Sequence, residues 1–313
     1  MTHPQLDAWA HVALEKFGLF GARLTFIGAS DHTVFRADVP GRGSFALRLH
    51  TASNLDRRAV ESELVWLESL PGTGELVPRP RRGRANELVV QVGDGDTMAT
   101  ALSWLDGEVS EELPSGPRAA KAGALLAALH RHAEAFVPPP GFTRPIYDLE
   151  AFRRGWHELR SRLELQAGQV ATIERGWPVI KALLSSMRDV PGGFGLIHAD
   201  AHPGNFVWQG EEPRLIDFGR LGWGAFLHDI AYCVLNFEAP VRAAFFEGYR
   251  SVRFLPNDID AHLRALMALT ALDNLAFLAR RPHEHPFVLE ALPSVATFIE
   301  NLTPTRASAG DTD

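Results

Sequence analysis

Two pairs of apolar residues, each followed directly by polar side chains, constrain this chain more than any other feature of the sequence. Leu196-Ile197 precedes His198, Asp200 and Asn205, and Leu215-Ile216 precedes Asp217. The pattern is His-x-Asp-x4-Asn, followed twelve residues after the asparagine by Asp-Phe-Gly. An apolar pair that ends in a polar cluster favours a strand running into a loop, so we expect a strand–loop–strand arrangement. A tight hairpin should separate Asn205 from Asp217, with its turn at Glu211-Glu212-Pro213.

These residue types at this spacing suit the transfer of a phosphoryl group. Asp200 can accept the proton of an attacking hydroxyl, whereas Asn205 and Asp217 offer oxygen ligands to a magnesium ion on the phosphates. The amide and the second carboxylate must approach one metal from two backbone segments, which is the reason for expecting the hairpin. The sequence therefore predicts a phosphotransferase site built on this segment.

Three other interpretations use the same residues. His198, Asp200 and His202 form His-x-Asp-x-His, which could belong to a zinc hydrolase. That interpretation leaves Asn205 and Asp217 without a role. Alternate residues of a strand are also spread ~6–7 Å per pair, which places the three groups poorly for binding one zinc ion together. A second alternative is a catalytically silent ATP-binding pseudokinase or scaffold, but a scaffold needs neither a base nor two metal ligands. In the third, His198 is a structural histidine and His202 a loop residue.

Composition and charge limit the classes of partner. The 313 residues suffice for one large domain or two lobes. The net charge of −7 argues against a basic surface for nucleic acid. No apolar run approaches the ~20 residues of a membrane span, and the N-terminus lacks a signal-peptide pattern. The single cysteine, Cys233, lies in an apolar segment and is predicted to be buried. We expect a cytoplasmic protein with no nucleic-acid or membrane partner, and leave its oligomeric state open.

The secondary-structure pattern changes after Asp106-Gly107. Before this point, one helix is predicted over 56–70, and β-prone runs lie at 24–28, 33–39, 44–50, 87–92 and 98–105. After it the pattern is mostly helical, with helices expected from Pro117, over 148–189, from Asp229 and over 258–280. The polar pair Asp273-Asn274 in the last of these is typical of a solvated or capping position.

From about Leu24 to about Phe237 the sequence resembles the aminoglycoside phosphotransferase family, which includes choline-kinase-like and homoserine-kinase-like enzymes. The resemblance rests on residues 198–205, residues 216–219 and the helix at 124–131, with weaker support from 47–49, 63–70 and 102–107. It implies an α+β, two-lobed protein-kinase-like fold with a β-rich N-lobe and a mainly helical C-lobe. The nucleotide-binding N-lobe would span 1–102, a hinge connector 103–107, and the C-lobe with the catalytic loop and acceptor site 108–313.

The resemblance also implies roles for single residues, with ATP as co-substrate, Mg²⁺ as cofactor and a small-molecule hydroxyl as acceptor. Asp200 would be the catalytic base, and Asn205 and Asp217 the magnesium ligands. The residues implied in nucleotide binding are Ser30, Arg48, Glu63, Ser103, Trp104 and Leu105, with Arg48 in the place of the strand cation and Glu63 as its helix partner. His198 and Asp229 would give structural support. Asp229 would be a helix N-cap, a carboxylate that braces the catalytic loop, or both.

Departures from the protein-kinase pattern favour a small acceptor. The segment His198-Ala199-Asp200 lacks the arginine that would pair with an activation-loop phosphate. No Ser or Thr follows Gly219 before Ala239, which leaves little room for a peptide platform. The mildly negative net charge slightly favours an amine-bearing acceptor. Arginines of the helical segment would favour a carboxylate or phosphate instead if they faced the cleft: Arg153, Arg154, Arg160 and Arg162.

Overall fold

The computed structural model describes residues 3–29, 32–51, 56–72, 76–93, 97–110, 114–188 and 193–302. Ser30, which the resemblance implied in nucleotide binding, lies outside the described residues. Within the described ranges every helix is too short or too polar to cross a bilayer.

The described chain folds into helices of two to six turns and strands of two to eight residues. The helices are α1 (His3–Lys16), α2 (Arg57–Ser69), α3 (Gly116–Ala135), α4 (Leu149–Arg162), α5 (Ala167–Arg188), α6 (Phe226–Val234), α7 (Ala239–Val252), α8 (Asp260–Leu278) and α9 (His285–Glu300). The strands are β1 (Arg23–Ala29), β2 (Thr33–Val39), β3 (Gly43–His50), β4 (Pro80–Arg81), β5 (Val90–Gln91), β6 (Met98–Ser103), β7 (Glu108–Val109), β8 (Phe194–Ile197), β9 (Phe206–Gln209), β10 (Glu212–Leu215) and β11 (Gly222–Ala225).

The chain divides into two compact units that each combine several segments. The first unit contains Met1–Glu112, Phe136–Arg144 and Pro203–Gly219. The second unit contains Leu113–Ala135, Pro145–His202 and Arg220–Asp313.

The first unit is built on an antiparallel sheet with the strand order β1-β2-β3-β6-β4, and β5 also pairs with β6. Every second residue of β2 is buried, which is the pattern of a strand with one face in the core. Phe35 and Leu47 belong to that core, together with Leu14 and Phe17 from α1 and the turn after it. The predicted strands at the start of the chain are confirmed, whereas the run at 87–92 forms only the two-residue strand β5. Helix α1 was not anticipated.

Helix α2 carries one of the predicted nucleotide-binding residues on its buried side. The Asp56 carboxylate accepts a hydrogen bond from the amide of Ala59 at 2.8 Å, which caps the first turn. Val60, Leu64 and Leu67 are buried, as their spacing predicts. The predicted helix is therefore confirmed, and its inward face also bears Glu63.

The predicted hairpin between Asn205 and Asp217 is formed by β9 and β10 in the first unit. Its turn lies at Gly210-Glu211, so the predicted turn at Glu211–Pro213 is wrong. Gly210 has a φ of +61°, a conformation that glycine adopts at little cost, whereas Pro213 lies inside β10 opposite Trp208. The Leu215 amide also donates to the carbonyl of Leu76 at 2.9 Å, which ties the hairpin to the body of this unit.

The second unit is mainly helical, and α3 and α7 approach each other at backbone contact. A Cβ atom on Gly248 of α7 would overlap the carbonyl of Ala120, and one on Gly123 of α3 would overlap the carbonyl of Phe245. Helix α8 packs against α4, α6 and α9. The short antiparallel pair of β8 and β11 ends at Ile197, immediately before His198.

Two predicted helices of the second unit differ in their bounds. The region predicted over 148–189 is interrupted between Arg162 and Ala167, so that it forms α4 and α5. The helix predicted from Asp229 begins at Phe226, with Ala225 at the N-cap position. Asp229 therefore lies within the helix, and the interpretation of Asp229 as its N-cap is wrong.

Candidate active site

A cavity of about 280 Å³ in the first unit is lined by β2, β3, β6 and the segment that follows β10. The described residues implied in nucleotide binding all line it, together with Asp217: Arg48, Glu63, Ser103, Trp104 and Leu105. Apolar side chains such as Val34, Ala46 and Leu102 form other parts of its wall. The first unit thus brings together an apolar slot and a small number of charged groups, the usual composition of a small-molecule site.

Arg48 and Glu63 form a buried ion pair at this cavity. The distance from Arg48 Nη2 to Glu63 Oε1 is 2.8 Å, and the two side chains are 7% and 2% exposed. Arg48 Nε also donates to Thr100 Oγ1 at 3.2 Å. The other glutamates of α2 face outward, because Glu61 pairs with Arg57 and Glu68 with Arg82 at the surface. Glu63 is thus the α2 glutamate that fixes a guanidinium beside the cavity.

The connector 103–105 offers fewer free amides than its length suggests. The Ser103 amide donates to the carbonyl of Arg79 at 2.8 Å, and the Trp104 amide donates to the carbonyl of Ser44 at 3.0 Å. Both donors are therefore already used within the first unit. The amide of Leu105 is the one remaining donor of the three within the described chain.

Asp217 and Asn205 lie at the two ends of the hairpin. Asp217 is exposed and has a φ of +63°, while Asn205 is buried in a single 3-10 turn. The Ile216 amide donates to the carbonyl of Asn205 at 3.0 Å, which joins the two ends. A Cβ atom on Gly219 would lie 3.3 Å from Asp217 Oδ1, so glycine keeps the space beside this carboxylate open. A carboxylate and an amide oxygen are ligands that suit a hard divalent cation.

Asp200 follows β8 in the second unit, on a loop that Asp229 holds by the backbone. Asp229 Oδ2 accepts from the amide of His198, and Oδ1 accepts from the amide of Ala199, both at 2.7 Å. Ala199 has a φ of +60°, which costs a residue other than glycine about 1 kcal/mol. The Asp200 amide donates to His198 Nδ1 at 3.2 Å. These contacts favour the interpretation that Asp229 braces the loop.

A buried chain of hydrogen bonds lies behind Asp229. His130 Nε2 donates to Asp229 Oδ2 at 3.0 Å, and the Tyr249 hydroxyl donates to His130 Nδ1 at 2.8 Å. Burial lowers the pKa of His130 and keeps its ring neutral. Burial alone would raise the pKa of Asp229, but the hydrogen bonds from His130 and from the backbone outweigh it and lower that pKa. The brace is therefore an ionised carboxylate.

Arg220, which was not predicted as a site residue, lies beside Asp200 and connects it to a group of polar residues. Arg220 Nη1 lies 3.8 Å from Asp200 Oδ1, and Arg220 also forms an ion pair with Asp273. The Tyr232 hydroxyl donates to Asp273 Oδ2 at 3.1 Å and contacts Asn274 Oδ1 at 3.2 Å. The sequence signal for Arg220 was its position directly after Asp-Phe-Gly. The pair on α8 could not be distinguished from a solvated pair, because its partners are distant in sequence.

The zinc interpretation receives no support from the geometry of the described residues. Among the described residues, no three His, Cys, Asp or Glu side chains lie together as a metal-binding group. His198 is buried, whereas His202 is exposed. Three of the four arginines of α4 have glutamate neighbours: Arg153 with Glu150, Arg160 with Glu174, and Arg162 with Glu158. Cys233 is buried, as predicted.

Comparison with known proteins assigns the family. Residues 24–266 match the phosphotransferase enzyme family. The sequence is 27% identical over 286 residues to a homoserine kinase of Mesorhizobium japonicum. The alignment covers 82% of this chain and 83% of that protein. The fold is similar to that of a microcompartment-associated aminopropanol kinase, with a TM-score of 0.76, 24% identity and coverage of 92% of this chain and 94% of that one. An amicoumacin kinase solved with AMP-PNP and Ca²⁺ gives a TM-score of 0.78, 19% identity and 97% coverage of both chains.

The expected α+β, protein-kinase-like fold class is confirmed by these likenesses. The family match extends over most of the chain and includes both motifs from which the sequence analysis began. The chain belongs to the phosphotransferase enzyme family and is a small-molecule kinase with a hydroxyl group as acceptor.

Proposed function

We propose that the protein transfers the γ-phosphoryl group of ATP, with Mg²⁺, to the hydroxyl of a small amine-bearing metabolite in the cytoplasm. The observation that carries the proposal is the loop of Asp200. It has left-handed backbone at Ala199, a brace from the ionised Asp229 and a cation, Arg220, beside the carboxylate. A carboxylate on a loop with a strained and braced backbone is typical of a catalytic position.

Each functional side chain of this protein would have a distinct role in the reaction. Asp200 orients the acceptor hydroxyl and takes its proton. Arg48, held in direction by Glu63, steadies the phosphates. Asn205 and Asp217 would hold the Mg²⁺, which when bound neutralises charge on the phosphates. The amide of Leu105 is the connector donor available to adenine.

Homoserine and small amino alcohols are the acceptors that we propose to test first. The names of the similar proteins support this class, since they include homoserine kinase and aminopropanol kinase. Arg220 beside Asp200 and its ion-pair partner Asp273 also support this class, because Asp273 can bind an ammonium group and Arg220 a carboxylate. An acceptor that carries both charges, as an amino acid does, would replace the Arg220–Asp273 pair with two new ones.

The proposal is tested by a coupled ADP-release assay over homoserine, aminopropanol, ethanolamine, choline, aminoglycosides and neutral sugars. We expect saturable activity with homoserine or an amino alcohol. Asp200→Ala should lower kcat at least ~100-fold and leave the Kd for AMP-PNP nearly unchanged. Glu290→Gln, at an exposed position on α9, is the matched control and should behave as wild type.

Two outcomes would contradict the proposal. Full turnover by Asp200→Ala on the true acceptor would show that another group is the base. A protein that binds Mg²⁺-ATP and transfers phosphate to no member of the panel would favour the pseudokinase alternative.

A further inference from the structure

The second unit contains a cavity of about 460 Å³ that the proposed reaction does not use. It lies beside the C-terminal end of α7 and the segment that joins α7 to α8, with a largely apolar floor that includes Leu227, Ile230, Leu255 and Ile259. Asp200, Arg220 and Asp273 are not among its lining residues, so it is separate from the group around the catalytic carboxylate. A volume of several hundred Å³ is in the range of small-molecule sites.

The lining of this cavity includes two exposed charges of opposite sign. Arg131 and Asp258 line the cavity and are exposed, and neither has an ion pair or side-chain hydrogen bond within the described ranges. The other opposite charges, Arg253 and Glu134, neutralise each other at 2.6 Å. A ligand that complements this lining has an apolar body with one anionic and one cationic group.

Two polar residues of the cavity wall, Arg253 and Tyr249, also belong to the series of hydrogen bonds that supports the catalytic loop. Arg253 Nη1 donates to the Tyr249 hydroxyl at 3.2 Å, and Tyr249 continues through His130 to Asp229. The ring of Phe226, which also lines the cavity, stacks on His130 at 4.4 Å and lies 4.6 Å from the Arg253 guanidinium. Each donor in this series of hydrogen bonds points toward Asp229. A displacement of Arg253 or Phe226 would therefore be transmitted to the amides of the loop through direct contacts.

We propose that this cavity is a second ligand site that binds a small zwitterion with an apolar side chain, of the class of free aliphatic α-amino acids, and that its occupancy stabilises the catalytic loop through Tyr249, His130 and Asp229. Arg131 binds the carboxylate, Asp258 binds the ammonium group, and the side chain covers the apolar floor. Binding does not depend on the proposed function. The effect on turnover rests on it.

Binding is tested by calorimetry on the full chain with three probes that share one apolar body. L-Leucine carries both charges, 4-methylpentanoate lacks the amine, and 3-methylbutylamine lacks the carboxylate. We expect L-leucine to bind with a Kd on the order of 1 mM, as its size allows, and each analogue at least tenfold more weakly. Equal binding of the three probes, or no heat with L-leucine at 10 mM, would overturn the proposal.

The location of the site is tested by variants that each remove one charge at an exposed position and leave the core intact. Arg131→Gln and Asp258→Asn should each weaken L-leucine at least tenfold. Arg154→Gln, at an exposed arginine of α4 that does not line the cavity, is the matched control and should bind as wild type. L-Leucine binding that neither cavity variant weakens would overturn the assignment of the site.

The coupling is tested with Tyr249→Phe, which keeps the ring and removes the hydroxyl that joins Arg253 to His130. In the wild type, saturating L-leucine should raise kcat for the identified acceptor at least twofold and leave the KM for ATP unchanged. In Tyr249→Phe the binding should persist and the rise in kcat should disappear. A rise of the same size in both proteins, or no rise in the wild type, would overturn the coupling. If no acceptor is found, the calorimetry still decides the binding.

Discussion

At the scale of single residues, this kinase keeps its buried charged groups partnered. Arg48 pairs with Glu63, and Asp229 accepts two backbone amides and one imidazole. Removing one member of such a set leaves the other charge buried without a counterion, which costs more than the pair contributes. His228 is the contrasting case, because its ring is fully buried and neither nitrogen has a hydrogen-bond partner among the described residues.

Glu63→Gln should therefore be strongly destabilising although it keeps the shape of the side chain. We expect the free energy of unfolding to fall by about 3 kcal/mol, because Arg48 loses its counterion. Urea denaturation followed by circular dichroism measures this. Glu61→Gln, at a surface pair on the same helix, should change the free energy by less than about 0.5 kcal/mol. Similar losses of unfolding free energy in the two variants would show that the buried pair stabilises the fold no more than the surface pair does.

His228 gives a prediction about pH. Burial lowers its pKa from 6.5 to about 4, so the folded protein resists a proton that the unfolded chain accepts. This contribution to stability is complete above pH 6.5 and is lost as the pH falls from 6.5 toward 4. Between pH 7 and 5 the loss should be about 2 kcal/mol.

His228→Phe should remove that loss, because a phenyl ring fits among the surrounding rings of Tyr147, Phe152 and Tyr232 and takes up no proton. Urea denaturation at pH 7 and pH 5 compares it with the wild type. His283→Gln, at an exposed histidine, should show the same pH dependence as the wild type. If acidification destabilised His228→Phe as much as the wild type, another group would be responsible.

At the scale of elements, the second unit depends on the contact between α3 and α7. These two helices carry His130 and Tyr249, the residues behind the loop of Asp200. The glycines at their crossing are required for close approach, since any side chain there would meet the backbone of the other helix. The position of Tyr249 is thus fixed by a helix crossing.

Gly248→Ala should separate α3 from α7. We expect a loss of about 3 kcal/mol in the free energy of unfolding, by overpacking, and a lower kcat from the displaced Tyr249. Gly168→Ala on α5 is the matched control, because a Cβ there meets no atom within 4 Å. The control should leave stability unchanged or raise it slightly. Equal effects of the two substitutions, measured by urea denaturation and ADP release, would contradict the role of the crossing.

Local patterns in the sequence were enough to predict some elements and not others. Helix α2 and strands β2 and β3 follow from apolar spacing and turn residues that lie within each element. The start of α6 at Phe226 could not be read in the same way, because the carboxylate of Asp229 has a distant partner, the loop at His198, instead of its own helix end. Helix α1 was missed although its buried residues have helical spacing.

At the scale of the whole molecule, the secondary-structure pattern of the sequence indicated where strands give way to helices, but not which segments fold together. The predicted boundaries at residues 102 and 107 rest on the secondary-structure pattern and the family resemblance, and they stay a prediction. The contacts group the hairpin of 203–219 with the N-terminal residues, through the pairing of β7 with β9 and the bond from Leu215 to Leu76. Such pairings join residues that are far apart in the chain, and nothing in the local sequence marks them. The motif residues Asp200, Asn205 and Asp217 were found because their chemistry requires a fixed spacing.

Ligand binding gives a prediction for the stability of the full chain. AMP-PNP with Mg²⁺ at about 100 times its Kd should raise Tm by about 5 °C, because it binds only the folded protein. EDTA should remove most of this rise, and Asp217→Asn should show little of it. Asp258→Asn, outside the first unit, is the control and should keep the full rise. A rise that is unchanged by EDTA and by Asp217→Asn would exclude Asp217 as a metal ligand.

The bond between Tyr249 and His130 also has a consequence for synthesis on the ribosome. It joins residues 119 positions apart, and the loop of Asp200 lies between them in the chain. At the usual rates of translation the ribosome needs about 6–24 s to add those residues, so the loop emerges well before its support is complete. A nascent chain that ends before Tyr249 contains Asp200 and Asp229 but lacks the Tyr249 hydroxyl, so the hydrogen bonds behind the loop are incomplete. The complete support of the Asp200 loop therefore forms only after residue 249 has been translated.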